Sequence, residues 1–377
     1  MPYLAEQGHE IEIVISSAEY RTGRERLEDL LPPENVRLTR IPAGIKLADS
    51  SLKKLWVVLA YMIGSAFVTL FGRGTDLNFF LTQPPMFQVW GRFLKALRRQ
   101  PYSCLVMDLY PDALVNFGKI KKGSIFEKVA HSISRGTLRK AKNVVVIGRC
   151  MQRVLEKDGI EPNRIVNIPN WVNETEVRCI SKEENSLRKE LNLSDKFICL
   201  YSGNIGISHN MNDLLEVAVE LRAEEDIRFV IVGGGIKKAQ LEQFRDEHQL
   251  ENLMLLPYQP TSRLSESLGL GDFHFVSLRQ NFSGLVVPSK AYGALAAGKP
   301  IVYQGSEESE LALMIKEHDL GFVVNEGDVE GLKEAILSLY RDPQRLAALS
   351  KNAERSNEVY NRLESLKTYA SLFATGN

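Results

Sequence analysis

The sequence predicts an α/β protein built as two doubly wound halves, one on each side of residue 180. Three observations carry that expectation. Short apolar runs alternate with amphipathic or charged stretches along almost the whole chain, the pattern of parallel strands joined by helices. The alternation halts once, over the polar and charged residues 173–194, and then restarts. The length of 377 residues is large for one core, so two domains are the default. The domains are therefore expected at 1–180 and 181–377, with the last helix able to cross back to the first.

In the first half, Pro2 to Gln7 reads as the tail of a helix capped by Gly8. Residues 10–16 alternate and then run apolar, and 36–41 form the next strand candidate. The charged stretch 21–29 between them suits a surface loop or short helix. Residues 55–71 carry no charge, at the lower edge of the roughly 17–25 residues that span a bilayer. Three readings stay open: a buried core helix, a helix partly exposed at a membrane interface, and a true span. Strands are expected at 76–81, 104–107, 144–147 and 165–168, with helices after Pro85, over 125–141 and over 151–158.

The second half restarts with a strand at 197–201, a loop to residue 212 and a helix to 222. Strand 228–232 runs into Gly233-Gly234-Gly235, which suits a tight strand-to-helix turn better than a ligand loop. After a helix to 248 come strand 253–256, helix 263–269 and strand 273–278. The following stretch, 283–300, is the most informative. Ser283 and Gly284 free the backbone to turn, Pro288 and Ser289 start a helix, and Gly298 and Pro300 end it before a strand at Ile301. Lys290 lies in the helix's first turn, where the dipole disfavours a cation. A diphosphate there would remove the conflict; a solvated lysine on an ordinary βα unit is the alternative. Strand 321–324 and helices over 329–342 and 343–373 complete the chain.

Composition narrows the functions. Lys plus Arg and Asp plus Glu are both 47, which argues against nucleic acid as the main partner. The four cysteines have no metal-ligand spacing and read as reduced thiols, and no pair of histidines has metal spacing. No Gly-x-Ser-x-Gly elbow or phosphate-cradling Gly-x4-Gly-Lys-Ser/Thr occurs. Gln7 to Glu12 is polar, so no secretory signal is expected and a cytoplasmic protein is.

Several side chains are candidates for chemistry. Asp108 and Asp112 follow a strand's end, where carboxylates face the ligand side of an α/β sheet; they suit a base or acceptor ligand, or a helix cap and a surface charge. Gly203, Asn204 and Gly206 follow the first strand of the second half and suit backbone contact with a phosphate or sugar. His209 lies in the same loop; the other five histidines read as structural or solvated. Trp171 sits where the halves meet and suits a cleft wall or a packed hinge.

Taken in order, Leu4-Ala5-Glu6-Gln7-Gly8-His9-Glu10, Asp108-Leu109-Tyr110-Pro111, Ile168-Pro169-Asn170-Trp171-Val172, Tyr201-Ser202-Gly203-Asn204, Val230-Ile231-Val232-Gly233, Leu256-Pro257-Tyr258 and Val287-Pro288-Ser289-Lys290 through Gly298-Lys299-Pro300 carry a resemblance. The chain resembles the retaining nucleotide-sugar glycosyltransferases of family four, which have the GT-B fold of two Rossmann-like domains facing across a cleft. The Pro-Ser-Lys and Asp-Leu-Tyr-Pro forms resemble the branch that builds bacterial cell-surface polysaccharides, and the Pro-Asn-Trp and Tyr-Gly forms resemble cyanobacterial envelope-polysaccharide transferases.

The resemblance implies a C-terminal domain that holds a UDP-sugar such as UDP-glucose and an N-terminal domain that holds a lipid-linked or saccharide acceptor at the cytoplasmic membrane surface. It implies no metal and no cofactor, the nucleotide-sugar being a substrate. Retention there needs no protein nucleophile, because the leaving phosphate helps deprotonate the acceptor. The positions it assigns to donor binding are Gly203, Asn204, Gly206, Tyr258, the amides near Ser283, Gly284 and Leu285, and Ser289 and Lys290. Asp108 and Lys290 are its catalytic candidates.

The sequence departs from the family in two ways. Leu285 and Gly293 stand where it usually has two glutamates, and Asn204 where it usually has an arginine, which leaves Lys290 more to do. The family's first strand and glycine-rich loop are not matched, so an N-terminally short form is expected, with the strands on either side of that missing central strand lacking a partner. A degenerate protein that binds nucleotide without turnover, and an epimerase acting on UDP-N-acetylglucosamine, are the alternative readings.

Overall fold

A computed structural model describes residues 2–17, 35–42, 51–171 and 177–373; the expected surface segment 21–29 lies outside them. The elements run α1 (Pro2–Glu6), β1 (Ile11–Ser16), β2 (Val36–Ile41), α2 (Ser51–Phe71), β3 (Asn78–Leu81), α3 (Val89–Arg98), β4 (Tyr102–Val106), α4 (Asp112–Asn116), α5 (Ile125–Leu138), β5 (Val144–Val146), α6 (Arg149–Lys157) and β6 (Ile165–Asn167). They continue with α7 (Ser186–Glu190), β7 (Phe197–Ser202), α8 (Asn212–Glu220), β8 (Ile227–Val232), α9 (Lys238–Glu247), β9 (Leu253–Leu256), α10 (Leu264–Leu268), β10 (Phe273–Ser277), α11 (Lys290–Ala296), β11 (Ile301–Gln304), α12 (Glu310–His318), β12 (Gly321–Val324), α13 (Val329–Arg341), α14 (Pro343–Ser356) and α15 (Arg362–Phe373). Every strand pairing is parallel.

The second half is one six-stranded sheet in the order β12-β11-β10-β7-β8-β9. The chain steps outward from β7 through β8 to β9, returns to β10 beside β7, and steps outward the other way. Strand order thus reverses between β7 and β10. In an open α/β sheet, such a reversal opens a crevice at the strands' carboxyl ends because the connections leave to opposite sides. Both faces are covered, and β7, β8, β10 and β11 are apolar almost throughout, as a doubly wound sheet requires.

Among the described residues, the first half holds two sheets, β1-β2 and β3-β4-β5-β6, with no hydrogen bond joining them. Burial follows that division. All three β5 residues are buried, while β1 is only half-buried. α2 lies over β1 and β2: Gly64 packs on Ile41, and the Tyr61 hydroxyl donates to the Val14 carbonyl at 3.1 Å.

One open reading narrows and one expectation changes. The 55–71 run is one side of a helix whose other side faces out, with Ile63 70% and Phe67 63% exposed, so it is not simply a core helix. The polar 173–194 stretch carries α7, whose Leu187 and Arg188 are buried; Arg188 reaches Asp272 at 2.7 Å and caps the segment onto the second sheet. At the chain's end, Tyr369 and Phe373 of α15 meet Phe79 of β3, and Tyr369 meets Trp171 edge-on.

Candidate functional site

The crevice between β7 and β10 gathers charge. Lys290, the first residue of α11, points back across it to β7. Its ammonium donates to the Tyr201 hydroxyl at 2.5 Å and faces His209 Nε2 at 3.3 Å. Tyr201 is fully buried and donates in turn to the Asn204 carbonyl at 2.7 Å. His209 Nδ1 lies 2.5 Å from the Ser277 carbonyl, an acceptor, so Nδ1 carries the proton and Nε2 is left to accept. Burial, and next the Lys290 charge, push His209 down to about 3, which keeps the ring neutral.

Two further cations stand beside this pair. Lys237, just past the glycine loop, donates to the His209 carbonyl at 2.8 Å. Arg279 follows β10, donates its amide to the Ser208 carbonyl at 2.9 Å and faces Glu326 at 3.7 Å. Burial pushes Lys290 down to about 7. Lys237 is also lowered, by burial first and by Arg279 second. A neighbouring cluster of cations with little anionic compensation is the arrangement a polyanionic ligand relieves. An open cleft lined by Arg279, Gln280, Asn281 and Glu326 adjoins it.

The glycines of both loops are explained by close approach. A Cβ on Gly233, at φ +150°, would lie 2.0 Å from the Gly203 carbonyl oxygen. One on Gly235 would meet Ile205 and Asn204 at 2.6 and 2.7 Å, and the Ile205 amide donates to the Gly234 carbonyl at 2.8 Å. The 233–235 loop is thus the support on which the 203–206 loop rests, beyond the tight turn expected from its sequence. Tyr258 is half exposed above it, 3.4 Å from the Gly234 carbonyl, and Gly206 lies behind the exposed Asn204 side chain.

The 283–287 stretch does something different from the expected presentation of amides to a ligand. The Ser283 amide donates to Gln280 and the Leu285 amide to Phe282. The Gly284 amide faces the Cys150 sulfur, and a Cβ on Gly284 would meet Val154 at 2.7 Å. Leu285 and Val287 are buried in the core of the first half. These three backbone donors are committed, and the stretch is a plug that joins the halves. Ser289 is exposed and makes no side-chain cap. Gly293 is buried in α11 against Leu268.

The plug also touches the loop that carries the second catalytic candidate. The Leu109 amide donates to the Leu285 carbonyl at 2.9 Å, and Asp108 bridges to Val286. Asp108 accepts from Tyr110 at 3.1 Å and from Gln83 at 3.4 Å, and burial raises its carboxyl above the usual range. Asp112 is occupied otherwise, held 2.9 Å from buried Arg135, which also binds Asp158 at 2.6 Å. Elsewhere the halves are joined by Arg149 on Glu310 and Glu317 and by Phe117 against Phe282.

Tyr201, Lys237 and Arg279 were not singled out in the sequence. Tyr201 reads there as one more core residue of a strand and Lys237 as a helix-surface lysine. Only Arg279, placed directly after a strand's carboxyl end, carries a readable signal.

Comparison with known proteins places the chain among glycosyl transferases. Residues 182–356 match the model of "Glycosyl transferases group 1", and residues 1–171 that of a "Glycosyl transferase 4-like domain". WcaI of Escherichia coli K12, named for colanic acid biosynthesis as a glycosyl transferase, is 27% identical over 373 residues, 96% of this chain and 91% of its own. HepE of Anabaena, solved with UDP-glucose, superposes with a TM-score of 0.71 at 14% identity, over 97% of this chain and 100% of its own. Sucrose-phosphate synthase of Thermosynechococcus elongatus reaches a TM-score of 0.75 at 16% identity, over 100% and 92% of the two chains.

Proposed function

We propose that this chain, which belongs to the group 1 glycosyl transferases and has their two-domain GT-B fold, transfers a hexose from a UDP-sugar to a lipid-linked saccharide in envelope polysaccharide assembly, with retention of configuration. The observation that carries the donor half of this reading is the convergence of Lys290, Lys237 and Arg279 on the crevice between β7 and β10. A diphosphate is the ligand whose charge fits that cluster, and the Gly206 amide in the adjoining loop can add a backbone donor close by. HepE was solved in complex with UDP-glucose.

The chemistry then divides between the halves. Lys290 neutralises charge that grows on the leaving diphosphate, and the neutral His209 and buried Tyr201 hold its ammonium in place. Asp108, on the facing loop, orients the acceptor hydroxyl by accepting its hydrogen bond. The leaving phosphate takes the acceptor's proton on the same face. The 283–287 plug fixes the distance between the two groups because it is bonded to the Asp108 loop and leads directly into α11.

Calorimetry with UDP on the Lys290→Ala and Asp108→Asn variants, beside a transfer assay on lipid extract, tests both assignments. Lys290→Ala is expected to weaken UDP by about tenfold or more, the worth of a charge-assisted contact. Asp108→Asn should leave UDP affinity in place and lower turnover by about a hundredfold. Unchanged UDP affinity in the lysine variant sinks the diphosphate assignment. UDP binding without turnover in the unmodified chain favours a nucleotide-binding protein that has lost transfer.

A further inference from the structure

Three helices of the first half share an outward apolar face. On α2, Leu55, Leu59, Ile63, Phe67 and Phe71 recur every fourth residue and are all exposed, while Val57 and Ser65 on the opposite side are buried. α3 packs between α2 and α5; its Trp90 donates to Thr69 of α2 at 2.8 Å, and its Lys95 to the Lys140 carbonyl, just past α5, at 2.8 Å. It adds exposed Phe93 and Leu97 to the face. α5 adds Ile125, Phe126 and Val129 from its first turns, with Ile125 81% exposed. Soluble monomers rarely leave apolar residues contiguous across three elements.

Charge is distributed unevenly around this face. The whole chain has equal numbers of acids and bases, yet residues 51–107 hold seven Lys or Arg and one acid, Asp76. Residues 117–142 hold eight, of which Arg135 is buried on Asp112 and Asp158, and one acid, Glu127, which is taken up by the Gly123 amide. Exposed aromatic and aliphatic side chains on segments rich in lysine and arginine are the composition that lies in the headgroup region of an anionic bilayer. A second copy of the chain would set this basic rim against itself in a symmetric dimer, at a cost in like-charge repulsion. Among the described residues no helix is long and apolar enough to cross a membrane, which suits a face that lies on the surface.

Topology aims the face. α3 and α5 each return from a parallel strand, so their first turns stand at the carboxyl edge of the β3-β4-β5-β6 sheet. Asp108 stands at that edge, and Asn116 beside it reaches the Asn281 carbonyl of the second half. Lys121 and Lys122 precede α5 at the same edge.

We infer that α2, α3 and α5 together form a docking surface for an anionic phospholipid bilayer, with the acceptor crevice opening beside it. The surface deepens the lipid-linked acceptor proposed above and rests on that reading for its purpose, although not for its geometry. A membrane-borne acceptor would then meet Asp108 without leaving the bilayer.

Sedimentation of the full chain with phosphatidylcholine vesicles, with and without phosphatidylglycerol, tests the surface. The protein is expected to pellet with the phosphatidylglycerol vesicles and to be released by salt. The paired variants Ile63→Ser/Phe67→Ser and Lys121→Glu/Lys122→Glu should each lower partitioning by about tenfold or more. UDP affinity, read in parallel, should stay unchanged in both, because neither pair touches the crevice. The inference is overturned if the chain stays in solution with anionic vesicles, or if neither pair changes its partitioning. It is equally overturned if the apolar pair abolishes self-association in velocity sedimentation while vesicle binding is absent, which gives the face to a second copy. A chain that pellets but binds no UDP sinks the transferase reading and leaves the surface standing.

Discussion

Lys290 shows how a residue can be held ready for an absent charge. Burial favours its neutral form and sets it near 7, against an ordinary value of 10.5. A bound diphosphate, its terminal phosphate already ionised above about 6, restores the ammonium. Binding near neutrality should therefore take up a proton. Affinity is fullest below pH 7 and falls as pH rises through the free protein's value, by at most about tenfold per pH unit. Titrations of UDP in buffers of different ionisation enthalpy measure that uptake, and a slope indifferent to buffer contradicts it. The same depression acts on stability with a definite sign. A lysine lowered in the folded state costs stability fully below pH 7, and the cost is relieved as pH climbs from there toward 10.5. Lys290→Met should accordingly stabilise the ligand-free protein at pH 7, on the order of 2 kcal/mol, while removing the stabilisation that UDP gives. Thermal melts with and without UDP check both.

At the scale of elements, the loops at the carboxyl ends of the sheet are locked to one another by backbone. Gly233 accepts no side chain, being in the left-handed region and pressed on the Gly203 carbonyl. Gly233→Ala should cost about 2–4 kcal/mol and weaken UDP binding, since the 203–206 loop must move to admit a methyl group. Denaturant unfolding read beside UDP titration tests this, and a variant as stable as the parent removes the support role. Much of this level was legible in the sequence. β9 and β12 fall at the expected residues, because each is an apolar run bounded by glycine, proline or polar turn residues. The start of α11 after Pro288 and Ser289 was readable for the same local reason. The role of 283–287 was not. A loop with Ser and Gly reads as freedom near a ligand, and only the packing of Leu285 and Val287 in the other half's core turns it into a plug. α7 was missed because its charged sequence hides Arg188, whose burial depends on Asp272, far away in the chain.

At the scale of the whole molecule, the GT-B arrangement was legible from the halt and restart of the α/β alternation and from the ordered motifs. The outward side of α2 was not, since an apolar run reads the same whether protein or lipid is to meet its second face. Parallel sheets ordinarily share one continuous ladder, so that their parts open together. Among the described residues the first half has a seam instead: β1-β2 and β3-β4-β5-β6 share no hydrogen bond, and β1 is held chiefly by β2 and by α2. Amide exchange should then separate this half into two protection classes. The amides of β1 and β2 should exchange faster than those of β4 and β5 by an opening that leaves the larger sheet closed. Mass-spectrometric exchange on peptic fragments measures the difference, and a single shared rate for both sheets contradicts it. Such a seam would give the molecule graded cohesion, in which the β1-β2 unit loosens without dismantling the separate sheet that carries the β7–β10 crevice.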